Sequence, residues 1–242
     1  MRHESVKPFI TSPGGYLLGD TGAGQKTEVL ASVIERLTGG LRPHRILVVG
    51  CGNGDDAAAL ARYFGCRVTA IDLDDYFARR NEDLVDFRRM DARNMRFPAA
   101  SFDFVYSFHA LEHIPRPELA LAEIWRVLCA GGFYCIGTPN RSRAAGYIGV
   151  ASCSLRSKIQ SNLSDWRQRL LGRFRNECGA HAGFAARELT ALCSTIGHGT
   201  NISDEYYQKL YAHRGRWISA IIRLRLQAVA WPSVYVCGSK AA

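Results

Sequence analysis

The stretch Ile46-Leu47-Val48-Val49-Gly50-Cys51-Gly52-Asn53-Gly54 constrains the fold of this chain more than any other. An apolar, largely β-branched run ends abruptly in three alternating glycines, and an alanine-rich segment of helical character, Asp55 to Phe64, follows at once. A buried parallel strand, a turn without side chains and a helix N-terminus together form a cradle for a polar ligand. Glycine suits such a turn because a Cβ would hold the ligand off the backbone, and because some turn residues need positive φ. The spacing is G-x-G-x-G, not the G-x-G-x-x-G of nicotinamide enzymes, and it points to a different cofactor.

The segments that follow repeat one pattern. Val68 to Asp72 reads as a second strand closing on an acid, 18 residues beyond Gly54. An acid there can accept hydrogen bonds from both ribose hydroxyls, or it can simply cap the next helix, as Asp74 and Asp75 also can. Asp91 follows a third strand, Ser101 to Phe108 makes a fourth, and a helix from Glu118 to Leu128 stops at Gly131-Gly132. Phe133 to Thr138 is the fifth strand. Strands and helices that alternate with short links predict a parallel sheet with right-handed crossovers.

Four segments, VVGCGNG, VTAIDLDD, MDARNMRFPAASFDFVYSFHALEHI and EIWRVLCAGGFYCIGTPNR, stand in the order and spacing of a known family. Residues 44–140 resemble the class I S-adenosylmethionine-dependent methyltransferases, in the group that includes quinone, sterol and small-molecule enzymes. The resemblance implies a single-domain α/β fold, a Rossmann-like doubly wound sheet of seven strands. That sheet is mostly parallel, with Ser233 to Val236 as an antiparallel terminal strand and a helical cap inserted after strand five. It implies S-adenosylmethionine as cofactor. Gly50 and Gly52 would approach its methionine, with Cys51 and Gly54 in the same turn, and Asp72 with Leu73 would meet the ribose. Asp91 and Ala92 would lie at the adenine edge, and Phe108 would line the pocket. One position departs from the family. Val48 stands where an acid usually helps anchor the cofactor's amino group, and Asp55 and Asp20 are candidates to replace it.

The chain divides into an N-terminal flap and helix (1–40), a cofactor core (44–140), a basic cap insertion (141–182) and a C-terminal completion of the sheet (183–242). Its eight cysteines show no C-x-x-C pair and no zinc spacing, so no metal is expected and a reducing, cytoplasmic setting fits them. No run approaches the roughly 20 apolar residues of a membrane span, and the N-terminus has no signal-peptide core. Gly19 to Thr27 imitates a phosphate-binding loop with one residue too many before Lys26-Thr27, and reads as the flap leading into a helix, Lys26 to Leu37.

Charge is unevenly placed. Residues 1–140 carry 16 Lys+Arg against 17 Asp+Glu, and residues 141–242 carry 15 against 5. Within the insertion Leu155, Ile159, Leu163, Trp166, Leu170 and Phe174 recur at helical intervals, with Lys158, Arg167, Arg169 and Arg175 off the stripe. The bland reading is a surface helix packed on the core. The functional readings are an anionic acceptor held by arginines, peripheral contact of 155–175 with an anionic membrane, or a nucleic-acid backbone. Nucleic acid is the weakest, because Ser107-Phe108-His109-Ala110 lacks the Asn/Asp-Pro-Pro-aromatic signature of base methylation. A further helix around Arg214 to Leu226 is expected to pack on core or cap, because Arg214 and Arg225 interrupt its apolar side.

The function expected is methyl transfer to a small-molecule, glycan or lipid-like acceptor, at oxygen. The rival is a non-catalytic regulatory protein that binds the cofactor without turnover, which Val48 suggests. A hydroxyl acceptor needs a base, and His109 and His113 are the candidates after strand four, each with a purely structural alternative. Asn140, Arg141 and His181 are the candidates to meet the acceptor. Oligomeric state has no signal in the sequence.

Overall fold

The computed structural model describes residues 21–40, 42–146, 154–176 and 182–241. In chain order the elements are α1 (Thr21–Leu37), β1 (Ile46–Val49), α2 (Asp55–Phe64), β2 (Val68–Asp72), β3 (Val85–Arg89), β4 (Phe102–Phe108), α3 (Pro117–Val127) and β5 (Leu128–Pro139). There follow α4 (Leu155–Leu170), α5 (Ala186–Cys193), β6 (Gly199–Asn201), α6 (Ser203–Leu210), α7 (Gly215–Arg223), α8 (Gln227–Ala230) and β7 (Ser233–Ser239). The sheet order is β3-β2-β1-β4-β5-β7-β6. β1 to β5 are parallel, and β7 runs antiparallel to both β5 and β6. This is the doubly wound Rossmann-like sheet that the sequence predicts.

The two faces of the sheet follow from side-chain alternation along each strand. Val48, Ala70, Phe104, Tyr106 and Tyr235 point into a core under α1, α2 and α6. Leu47, Val49, Ile71, Val105 and Ile136 point the other way, under α3 and α5. Covered on both faces, β1 is buried at all four positions, which is why it reads as an unbroken apolar run.

Local chemistry sets the ends of the helices. α2 starts after Gly54 (φ 83°), with Asp55 and Asp56 in its first turn opposing the helix dipole, and stops at Gly65 (φ 67°). Pro117 opens α3, where its missing N–H costs nothing. α4 is capped by the Ser154 hydroxyl, which accepts from the Ser157 N–H.

Several expectations shift. Gly131-Gly132 do not stop α3; they lie inside β5, which starts at Leu128. α1 begins at Thr21, so Gly22 to Thr27 of the loop-like motif are helical, while Gly19 and Asp20 lie outside the described residues. Gly24 faces Ala59 of α2 at 3.7 Å from where its Cβ would stand, and the Thr27 hydroxyl donates to the Asp56 carboxylate. That segment therefore packs α1 on α2. Phe174 lies beyond α4 and is buried under the guanidinium groups of Arg143 and Arg169, 5.3 and 4.1 Å from its ring. β6 and α6 have no counterpart in the sequence reading. β6 is three residues long and carries Gly199 and Asn201, so it has neither length nor β-branched content to announce it.

Candidate cofactor and acceptor site

The strand order reverses between β1 and β4, and in open α/β sheets ligands bind outside the carboxyl ends of the strands at that point. The turn after β1 is tied back to β2, with the N–H groups of Gly50 and Cys51 both donating to the Ile71 carbonyl (2.9 and 3.1 Å). The Gly52 N–H donates to Asp72 Oδ2 at 2.8 Å, and Asp72 Oδ1 accepts from the Asp74 N–H. The acid at the end of β2 thus shapes the glycine turn and caps the next one.

Two glycines of the motif have different work. Gly50 (φ 72°) has no room for a side chain, since a Cβ there would stand 2.1 Å from that of Ala110. Its smallness serves the contact between β1 and the segment after β4. Gly52 (φ 51°) has nothing within 4 Å of where a Cβ would stand. It is an open backbone position beside a carboxylate, the cradle a polar ligand needs.

Around that cradle, Leu73 exposes half of its surface directly after Asp72. Asp91 accepts from the Arg93 backbone N–H (2.8 Å) and pairs with its guanidinium at 2.7 Å, which holds the carboxyl below its usual range. Ala92 is buried, and Phe108 stacks on Tyr235 with ring centroids 5.6 Å apart. Burial, with Asp72 adding, pushes the Cys51 thiol up to about 12, so it stays neutral and contributes shape.

Asp55 does not replace the acid missing at Val48. Its carboxylate is taken by Arg80 (2.7 Å), Asn53 and Asn81. Asp20 lies outside the described residues. The neighbouring Asp56 is the more distinctive acid. Burial raises it to about 6, and its field reaches Tyr106, whose Cα is the β4 partner of Val48.

At the acceptor side the candidates separate. His109 holds positive φ (52°), a conformation that costs a non-glycine residue about 1 kcal/mol or more and collects at functional sites. Its N–H donates to the Gly137 carbonyl, and its Nε2 lies 3.2 Å from the Ser233 hydroxyl, so the ring bridges the ends of β4 and β7. His113 is partly exposed, with Nε2 3.8 Å from Glu112 Oε1. Asn140 and Arg141 are corrected from acceptor contacts to structural clamps. The Asn140 amide donates to the carbonyls of Ala228 and Trp231 (both 2.8 Å) and its oxygen accepts from the Ser142 N–H. Arg141 binds the Gly183 carbonyl and Glu188 at 2.9 Å each. His181 lies outside the described residues.

Two groups carried no periodic or motif signal of their own. Glu112 is buried with neither carboxylate oxygen hydrogen-bonded, and burial raises it to about 8. Arg143, also buried, pairs with Asp165 of α4 at 2.9 Å and donates to the carbonyls of Asn140 and Ala182. Its charge acts against the rise at Glu112. Among the described residues no group of His, Cys, Asp or Glu has the arrangement of a metal site.

Residues 47–136 match the family model of a methyltransferase domain. The sterol 24-C-methyltransferase of Eremothecium gossypii is 38% identical over 100 residues, covering 38% of this chain and 27% of that protein. ERG6, the sterol 24-C-methyltransferase of Saccharomyces cerevisiae, is 35% identical over 100 residues, 38% and 26% of the two chains. The match thus spans about a quarter of those relatives. Phosphoethanolamine N-methyltransferase 2 of Haemonchus contortus, solved with S-adenosylmethionine, superposes with a TM-score of 0.56 at 18% identity, over 97% of this chain and 55% of that one. The [4+2]-cyclase SpnF superposes at 0.54 and 19% identity, over 89% and 82%. Over residues 47–136 this chain is thus similar to a methyltransferase domain, and its fold is shared with an enzyme solved with S-adenosylmethionine. The open Gly52 position, the Asp72 carboxylate beside it and the exposed Leu73 fit that cofactor.

Proposed function

We propose that this chain transfers the methyl group of S-adenosylmethionine to a lipid-like acceptor. The observation that carries the first half is Gly52, an open backbone position with positive φ, held against Asp72 at the strand-order switch. The lipid half draws on the sterol methyltransferase relatives. Those relatives are named for methylation at carbon, and the oxygen expected from the sequence gains nothing from them. Carbon therefore ranks ahead of oxygen. Neither of those relatives is named for a glycan acceptor.

When bound, the cofactor supplies an already activated sulfonium methyl. The chain's own part is to hold, orient and exclude water. The turn from Gly50 to Gly54 and Asp72 hold the methionine and ribose ends, and Asp91 and Ala92 hold the adenine end. Phe108 and His109 close the site on the side of β4. His109, oriented by the Ser233 hydroxyl, takes up the proton the acceptor releases.

Calorimetric titration with S-adenosylmethionine, S-adenosylhomocysteine and NADH tests the cofactor, with micromolar binding of the first two alone expected. Gly52→Arg should abolish that binding and leave the circular-dichroism spectrum unchanged. Unchanged affinity in Gly52→Arg would remove the assignment. Sterol and isoprenoid lipids in detergent then test the acceptor, by transfer of labelled methyl into the organic phase. Cofactor binding without any labelled product supports the regulatory alternative instead.

A further inference from the structure

α4 is attached to the molecule by the wrong face for an ordinary surface helix. Its polar residues make the contacts. Asp165 pairs with the buried Arg143, Asn162 exchanges hydrogen bonds with the backbone of Gly146 (2.6 and 3.0 Å), and Arg169 donates to the Arg143 carbonyl at 3.1 Å. No residue of α4 is buried. Its apolar stripe turns outward, with Leu155, Leu163 and Leu170 exposing 75%, 64% and 86% of their surface and Ile159 and Trp166 about half.

This stripe continues onto the C-terminal half. The Trp166 ring N–H donates to the Ala144 carbonyl (3.1 Å), and the Ala144 N–H donates to the Val229 carbonyl of α8 (2.7 Å). Val229 is itself exposed, as are Leu224 and Leu226 just before it and Trp217 on α7. α7 does bury Ile218 and pack Ile221 and Ile222 on the core, so its expected packing accounts for only part of its apolar surface. The join at Ala144 stands five residues past Pro139, where β5 ends.

The charge around this face selects its occupant. Arg156, Arg167, Arg216, Arg223 and Arg225 are exposed, and among the described residues none of them forms an ion pair. Two acids of this half are already paired, Asp165 with Arg143 and Glu188 with Arg141. Apolar side chains facing outward beside uncompensated arginines are complementary to a bilayer with anionic headgroups. A 16-residue helix of this kind lies in the interface, and no helix among the described residues is long and apolar enough to cross. We propose that α4 and the α7–α8 segment dock the protein on an anionic membrane, with the mouth of the acceptor site facing the lipid. Docking stands on the surface alone; only the delivery of an acceptor rests on the lipid reading of the site.

Flotation of the full chain with phosphatidylcholine vesicles, with and without phosphatidylglycerol, tests the proposal. Binding should need phosphatidylglycerol and fall in high salt. The double variant Leu163→Glu, Leu170→Glu should lose at least about tenfold in binding. The pair Arg156→Ala, Arg167→Ala should lose a similar factor through charge alone. Both should keep the wild-type Tm and S-adenosylhomocysteine affinity, because none of these side chains is in the core or the cofactor site. Absence of flotation on anionic vesicles, or undiminished flotation of both variants, would overturn docking. So would a wild-type dimer that the leucine variant turns into a monomer, because a second copy would then be the occupant. S-adenosylhomocysteine binding in the same samples reports on the cofactor site separately, so either idea can fail alone.

Discussion

α2 and α4 are both amphipathic in sequence, and the structure uses them in opposite ways. α2 buries Ala57, Ala58, Ala59, Leu60, Ala61 and Phe64 against the sheet and α1. α4 buries nothing and hangs from the molecule by the polar groups of an aspartate, an asparagine, an arginine and a tryptophan. Periodicity announces that a helix has an apolar face. It does not say what covers that face. For α2 the cover is the core; for α4 no described part of the chain buries it.

The sharpest way to break this contrast is to truncate one leucine on each helix. Leu60→Ala, in the core, should cost about 3 kcal/mol in denaturant unfolding, the sum of lost transfer energy and the cavity left behind. An effect on Leu60 as small as that of a surface change would mean that α2 is loosely packed. Next in size is Asp165→Asn, which removes the charge partner of buried Arg143. A loss of about 2 kcal/mol is expected, since the guanidinium is left partly uncompensated. If thermal stability is instead unmoved, the clamp is dispensable and α4 is held by something else.

Glu112 stands within the field of Arg143, the buried group that holds α4. Its folded pKa, about 8, lies above its ordinary 4.5, because burial disfavours the charged form. The folded state therefore holds a proton that the unfolded state releases. Stability from this group is intact below about 4.5 and falls as pH rises toward about 8. Glu112→Gln should match the wild type at the acid end and exceed it at the alkaline end. A difference that does not depend on pH would show that Glu112 is not neutral in the fold. The smallest effect belongs to Leu163→Ala on α4, expected within about 0.5 kcal/mol of wild type. A cost approaching that of Leu60→Ala would put the α4 stripe inside a contact and remove the contrast.

The sequence by itself determined the frame of this protein. β1 with its glycines, Asp72 eighteen residues on, and the alternation of strands and helices are local patterns, and they specify a doubly wound sheet because each strand must be covered on both faces. They also marked the cofactor edge, since the glycine turn and the acid of β2 are fixed by their own backbone. What each side chain does at that edge was decided only in three dimensions. Gly50 answers to Ala110, sixty residues away; Asn140 and Arg141 are consumed by carbonyls of the C-terminal half; Arg143 is buried on Asp165. Such partnerships depend on which distant backbone groups need a donor or an acceptor, and no periodicity encodes that need. The outward turn of α4 has the same origin. Its polar side found buried partners, its apolar side did not, and only the tertiary structure could say which face would be left over.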